Sequence, residues 1–461
     1  MKLDSAQARW LVTAMVLASG MAFLDGSVVS LALPDIGRDL SAGLVGLQWT
    51  VNAYMLSLSA LVLVTGSLGD RLGRRRIFNI GVVWFGVSSI LCAVAPSIEM
   101  LVAARALQGI GAALLTPGSL SIISASIDRA DRGRAIGIWA GLSGVAAAVG
   151  PLLGGWLVDQ IGWRAIFWIN VPLVVVTIAI SLRHVPETKG AQDRIDFGGA
   201  GLTVVSLVFL TYGLVAEERM PTVAGLLLLI AFVLHQWRTP HALVPLGLFA
   251  DRVFTALNVC TFAIYGALSG GMFLLVLQLQ YVTGYSPLEA GLATLPPTIL
   301  MLLFSGRAGA LGERIGPRLP MTVGPLIAAA SMLLYLRVDA DAGFVDVIAP
   351  GIVFGIGLTI LVAPLTTSVL ASAPAEQTGV ASGINNAIAR TAGLLAVAAI
   401  PPIAGIAGAD FASPEVFGPG YRTGMMICAG MLGAAGVFAA AMIQKPERFE
   451  EVVQASDTDV A

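Results

Sequence analysis

The chain reads as long apolar runs broken at regular intervals by short stretches of charged residues, proline and glycine. A bilayer's hydrocarbon core is about 30 Å thick, so a helix needs about 20 largely apolar residues to cross it. Runs of that length predict helices over 10–33, 47–68, 76–95, 100–123, 134–158, 163–183 and 197–216. Seven more are predicted over 221–237, 253–281, 287–310, 319–336, 345–371, 379–406 and 421–443. The fold class is therefore all-α integral membrane, with fourteen transmembrane helices. The first run, from Trp10 to Leu33, is too long for the core of a signal peptide and is read as a span.

Composition excludes a soluble fold. Hydrophobic residues make up 57% of the chain and charged residues only 12%, against about a quarter charged in soluble proteins; the mean hydropathy is +0.86. A net charge of −2, with basic residues scattered in short clusters, argues against a nucleic-acid partner. The distribution of those clusters says more. On the fourteen-span map, 19 of the 26 Lys and Arg residues fall on one side and five on the other. The positive-inside rule then puts both termini in the cytoplasm. Cys92, Cys260 and Cys428 lie far apart in apolar runs, and His184, His235 and His241 lack ligand spacing, so no metal is expected. None of the three lysines follows a glycine as a phosphate-binding loop requires, so energy must come from something other than a nucleotide.

One segment recurs. Gly66-Ser-Leu-Gly-Asp70-Arg71-Leu-Gly73 returns as Gly309-Ala-Leu-Gly-Glu313-Arg314-Ile-Gly316, every fixed position shifted by the same 243 residues. Such a repeat indicates duplicated halves. Eight predicted spans separate the copies where two six-span halves would give six, so two helices are inserted, near 197–237. The expected organisation is an N-terminal six-helix half (1–190), two inserted helices (191–245), a C-terminal six-helix half (246–443) and a short cytoplasmic tail (444–461). Each copy is read as a cytoplasmic loop turning tightly between helices. Gly66, Asp70, Arg71, Gly73, Arg74, Glu313 and Arg314 would then form a charge-assisted gate that closes at the cytoplasmic rim.

The stretch Gly66-Ser-Leu-Gly-Asp-Arg-Leu-Gly-Arg-Arg-Arg76 resembles the loop signature of the major facilitator superfamily. Leu24-Asp-Gly-Ser-Val-Val-Ser-Leu-Ala-Leu-Pro34, Gln48-Trp-Thr-Val-Asn-Ala-Tyr54, Arg105-Ala-Leu-Gln-Gly109 and Gly150-Pro-Leu-Leu-Gly-Gly155 are similar to the fourteen-span drug:proton antiporters within it. Ala146 stands where that family's fifth span usually has glycine, and Pro317 stands where the second copy would repeat Arg74. The resemblance implies a major facilitator fold and export of drugs, antibiotics or other lipophilic small molecules by alternating access. It also implies a proton gradient as the energy source, with no cofactor and no enzyme activity. The alternative on the same fold is a narrow-specificity importer or facilitator of a metabolite. The expected partners are a small lipophilic substrate, protons and the lipid bilayer, with the chain acting as a monomer. The preference for Arg over Lys and the abundance of Ala and Gly point to a bacterial cytoplasmic membrane.

Asp25 is the one acidic residue deep in a predicted span, where an ionised carboxylate costs roughly 2.5–3.5 kcal/mol. A group that loads and unloads a proton needs such a position, because its proton affinity changes as water enters and leaves. Arg105, placed near the cytoplasmic end of the fourth span, is read as neighbouring the proton route and biasing a carboxylate towards ionisation, with snorkelling to the interface as the alternative. Gly137, Gly150, Pro151, Gly154 and Gly155, together with Gly141 and Gly144, give the fifth span a small-residue face and a kink, read as a hinge. Substrate-cavity candidates are Asn52, Tyr54, Gln108, Tyr265, Gln278, Asn385, Asn386 and Arg390. Each could equally be a satisfied hydrogen bond between helices or, for Arg390, a helix-end anchor. Gln280 and Tyr281, with Gln278, are read as an exit gate, and Glu289 as a helix-start carboxylate.

Overall fold

The computed structural model describes residues 1–190, 196–240, 242–374, 377–406 and 413–443, and of Glu313 and Arg314 the backbone alone. The tail expected at 444–461 lies outside the described residues. Among them, fourteen helices are long and apolar enough to cross a membrane. The first six are Ala6–Asp39, Leu44–Leu72, Arg74–Ala93, Ile98–Ser126, Arg129–Gln160 and Ala165–His184; two more are Phe197–Val215 and Arg219–Arg238. The last six are Arg252–Tyr281, Pro287–Gly312, Arg318–Arg337, Phe344–Ala371, Thr378–Ile403 and Pro414–Met442.

Most boundaries fall within a few residues of the expected ones, and the departures have local causes. The first span starts four residues early because the Ser5 hydroxyl accepts from the Ala8 N–H, an N-cap that polar sequence alone did not mark as part of the span. The last span starts at Pro414 instead of 421, with Pro at the position where a missing N–H costs nothing. The tenth is interrupted between Ala293 and Pro296.

The two repeat copies are not loops. Helix continues through Leu72 in the first and Ile315 in the second, and the chain turns only at Gly73 (φ 111°) and Gly316 (φ 81°). Gly66 and Gly69 are helical, as are Gly309 and Gly312. Gly312 is small for another reason: a Cβ there would come within 2.7 Å of the Pro364 ring.

Spans 1–6 pack chiefly on one another, as do spans 9–14. Spans 7 and 8 form a close pair, and span 7 also touches spans 2 and 13. Leu207 of span 7 joins Leu56 and Ala60 of span 2 and Leu394 of span 13 in one apolar cluster, so the inserted pair covers that seam. Asp196 ties the pair together. Its carboxylate accepts from the Gly199 N–H at 2.8 Å and from Gln236 Nε2 at 2.7 Å, and lies 2.9 Å from His235 Nε2. Burial alone would raise the proton affinity of Asp196, but these hydrogen bonds outweigh it and hold the carboxyl below its ordinary range. The clamp is therefore intact at neutral pH and loosens only as acid protonates Asp196.

The Met1 ammonium bonds to the Ser126 carbonyl and the Asp128 carboxylate, which fixes one face of the bundle as that of the N-terminus and the arginine-rich turns. It is called the basic face below.

Candidate functional site

Asp25 and Arg105 face each other in the middle of the N-terminal six spans. Arg105 Nη1 lies 2.5 Å from Asp25 Oδ2, with Asp25 4% exposed and Arg105 1%. The second Asp25 oxygen and both polar atoms of the Gln108 amide are also used. Gln108 Nε2 donates to Asp25 Oδ1 and to Ser89 Oγ, both at 2.9 Å, while Gln108 Oε1 accepts from Arg105 Nη1 at 2.6 Å. Asn170 Nδ2 donates to the same Ser89 oxygen, and Arg105 Nε donates to the Thr50 carbonyl. The Arg105 guanidinium also lies 4.4 Å from the centre of the Tyr54 ring, a cation–π contact. Spans 1, 2, 3, 4 and 6 thus converge on one ion pair.

Two expectations change. Arg105 is seven residues from the Ile98 end of its helix, which lies at the face opposite the N-terminus: Arg164 bonds both Asp39 and the Ala95 carbonyl there. It is therefore a deep residue with a carboxylate partner and cannot be an anchor at the basic face. Gln108 and Tyr54, read as cavity residues, are buried parts of this cluster. A crevice lined by Asp25, Val28, Leu157, Ile166 and Asn170 has space for about one water molecule beside the carboxylate.

At the basic face, Asp70 and Arg74 pair with each other, Oδ1 to Nε at 2.7 Å, and Arg74 reaches the Ser121 carbonyl. Arg71 is exposed. The segment after span 6 completes the turn: Glu187 accepts from the N–H groups of Arg75 and Arg76, capping the third span. The Arg74 N–H donates to Thr188 and the Gly190 N–H to Asp70. In this conformation Asp70 and Arg74 of the first copy are engaged within the N-terminal half, while Arg71 faces outward. The second-copy side chains, Glu313 and Arg314, lie outside the described set.

The two groups of six meet closely near the opposite face. A Cβ on Gly155 would lie 2.7 Å from the Pro287 carbonyl oxygen, and one on Gly291 would lie 2.4 Å from that of Pro151. Gly150 and Gly154 instead press on Ser27 and Val28 of span 1. Of the hinge glycines, then, Gly155 alone faces the other group at contact distance. Toward the basic face a Cβ on Gly137, Gly141 or Gly144 would meet nothing within 4 Å, so the glycine face of that stretch is open, while Trp139 on another face donates to Ser19 of span 1. Gln280 donates to the Leu31 carbonyl across the same seam.

Gln48 adds a connection that sequence reasoning missed. Pro401 and Pro402 lie inside span 13 and have no N–H, so the carbonyls of Val397 and Ala398 lose their helical donors. Gln48 Nε2, on span 2, donates to those two oxygens at 2.9 and 3.4 Å. The legible signal was the Pro-Pro pair within an apolar run. Replacing Gln48 with Leu should leave two buried acceptors without donors at a cost of about 1–3 kcal/mol. Thermal unfolding of the detergent-solubilised protein should show that loss, and an unchanged transition would mean that the contact contributes nothing.

Among the remaining candidates, Gln278 is a structural pin: it is 1% exposed and donates to the Val338 carbonyl at 2.9 Å within the C-terminal spans. Asn385 donates to Asn258 and Thr261 and is likewise satisfied between helices. Asn52 is fully buried and neither of its amide atoms has a partner among the described residues. Glu289 closes a capping box with Ser286, as a helix-start carboxylate should. Tyr265, Asn386 and Arg390 keep exposed surface. The three cysteines are free and buried.

The family model for the Major Facilitator Superfamily matches residues 15–397. The multidrug resistance protein Stp of Mycobacterium tuberculosis (strain CDC 1551 / Oshkosh) is 35% identical over 80% of this chain and 70% of its own. The methylenomycin A resistance protein of Bacillus subtilis (strain 168) is 33% identical over 86% of this chain and 88% of its own. In fold, a crystal structure of the peptide transporter POT in complex with sulfate superposes with a TM-score of 0.72 at 14% identity, covering 96% of each chain. Fourteen membrane-length helices, a repeated helix-end motif and a family match spanning most of the sequence lead to one conclusion: the chain belongs to the major facilitator superfamily.

Proposed function

We propose that the protein exports drugs, antibiotics or other lipophilic small molecules in exchange for protons, alternating access between two six-span halves. The observation that carries the reading is the buried Asp25–Arg105 pair with its water-sized crevice. Resistance proteins among the relatives support the direction of transport. We place the basic face in the cytoplasm by the positive-inside rule. The conformation described is then closed outside by the Gly155–Pro287 and Gly291–Pro151 contacts.

Coupling follows from the cost of splitting the pair. Protonating Asp25 removes the charge that compensates Arg105, and breaking a buried pair costs about 3–5 kcal/mol. Arg105 must then find water or another acceptor, which requires the packing around it to change. One charge crossing 100 mV is worth about 2.3 kcal/mol. At about 1.4 kcal/mol per tenfold, that sustains a substrate gradient of roughly forty- to fiftyfold.

The test uses inverted vesicles acidified inside and a panel of lipophilic drugs and dyes. Discharge of the pH gradient by some compounds, and only in vesicles containing the protein, is the expected result. If no compound discharges it while the inserted protein remains folded, proton-coupled drug export is the wrong reading and a metabolite carrier replaces it.

A further inference from the structure

Arg390 is a second guanidinium within a span, and its surroundings differ from those of Arg105. It sits deep in the bundle yet keeps exposed surface, the combination expected on the wall of an internal cavity. Among the described residues no carboxylate lies within 4 Å of it, and its hydrogen bond runs from Nε to Asn386 Oδ1 at 3.0 Å, a neutral amide one turn earlier. The acid that could have balanced it, Asp25, has both oxygens engaged by Arg105 and Gln108. The phenols of Tyr54 and Tyr265 lie within its electrostatic reach, and Tyr54 carries the Arg105 guanidinium against its ring. The Asp25–Arg105 pair is neutral overall, so Arg390 leaves this part of the bundle with a positive charge that no carboxylate within 4 Å balances among the described residues.

Charged groups inside a span are expensive and are normally paired or line a substrate path. With Nε used, the Arg390 Nη groups are free to present the paired donors that match a carboxylate or a similar planar oxyanion. Asn386 fixes the guanidinium, and Tyr265 can add a hydroxyl donor beside it. We infer that Arg390, positioned by Asn386 and flanked by Tyr265, is an oxyanion subsite, and that the favoured substrates are lipophilic compounds bearing an acidic group. This rests on the export reading above. It also suits proton exchange, because an anion leaving the cell and a proton entering it both move in the direction that the membrane potential favours.

The experiment measures binding to the full-length protein in detergent by fluorescence anisotropy, with rhodamine B, which has a free carboxylate, and with its ethyl ester, which lacks one. The wild type should bind the acid about ten- to a hundredfold more tightly than the ester, the range for hydrogen bonds to a charged group. Arg390→Ala should abolish that preference by weakening binding of the acid, and Arg390→Lys should keep part of it. Size-exclusion profiles verify that both variants remain folded. Equal affinities in the wild type, no binding of the acid, or an acid preference that survives Arg390→Ala would each overturn the inference. Binding is read without any gradient. An acid preference in a protein that discharges no pH gradient would therefore sink the export reading and leave the subsite standing.

Discussion

Inverted vesicles containing Asp25→Asn are expected to take up substrate no faster than empty vesicles when a pH gradient is imposed, while still exchanging internal for external substrate. Asn keeps the shape of Asp25 and an oxygen that can accept from Arg105 Nη1, now 2.5 Å away. The amide cannot titrate, so the step that splits the pair disappears. Some stability should be lost as well, because Arg105 is left as a buried charge with a neutral partner. That loss should be smaller than the about 3–5 kcal/mol expected when one member of a buried pair is deleted outright. Energised uptake by this variant at the wild-type rate would place the proton site elsewhere. Loss of exchange together with energised uptake would indicate a general packing defect.

Gly155→Val should also abolish transport, by a different route. The first added carbon would already lie 2.7 Å from the Pro287 carbonyl oxygen and 2.8 Å from Leu288 Cα, and both obstacles are backbone. Overpacking of this kind costs about 1–3 kcal/mol, which shifts a two-state equilibrium five- to 150-fold. The conformer sealed at the face opposite the N-terminus bears that cost, so the variant should populate the conformer open there. A cysteine introduced at Tyr285, beside this contact, reports the shift through its rate of modification by a membrane-impermeant maleimide; the three native cysteines are buried. The rate should rise with Gly155→Val and stay near wild type with Gly137→Val, whose added atoms meet open space. Equal rates in all three proteins would show that Gly155 is not part of the seal.

The spans were legible because a bilayer imposes a length and a composition on any helix that crosses it, and these survive in the order of residues without reference to a neighbour. The repeat was legible for the same reason, since identity at a fixed offset needs no coordinates. Its meaning was not. Helical glycines and turn glycines have the same letter, and only the backbone separated Gly73 and Gly316 from Gly66, Gly69, Gly309 and Gly312. Asp25 and Arg105 could each be picked out as costly, but that they pair across spans 1 and 4, with Gln108 and Ser89 completing the network, depends on helix rotations that periodicity in a nearly uniform apolar sequence does not specify. The same holds for Gln48, whose partners are two carbonyls, 349 and 350 residues away, that Pro401 and Pro402 leave without donors. Length and hydrophobicity are properties of a segment, so sequence alone determined how many helices there are and where they lie. Which polar group meets which is a property of packed pairs, and only the tertiary structure decided it.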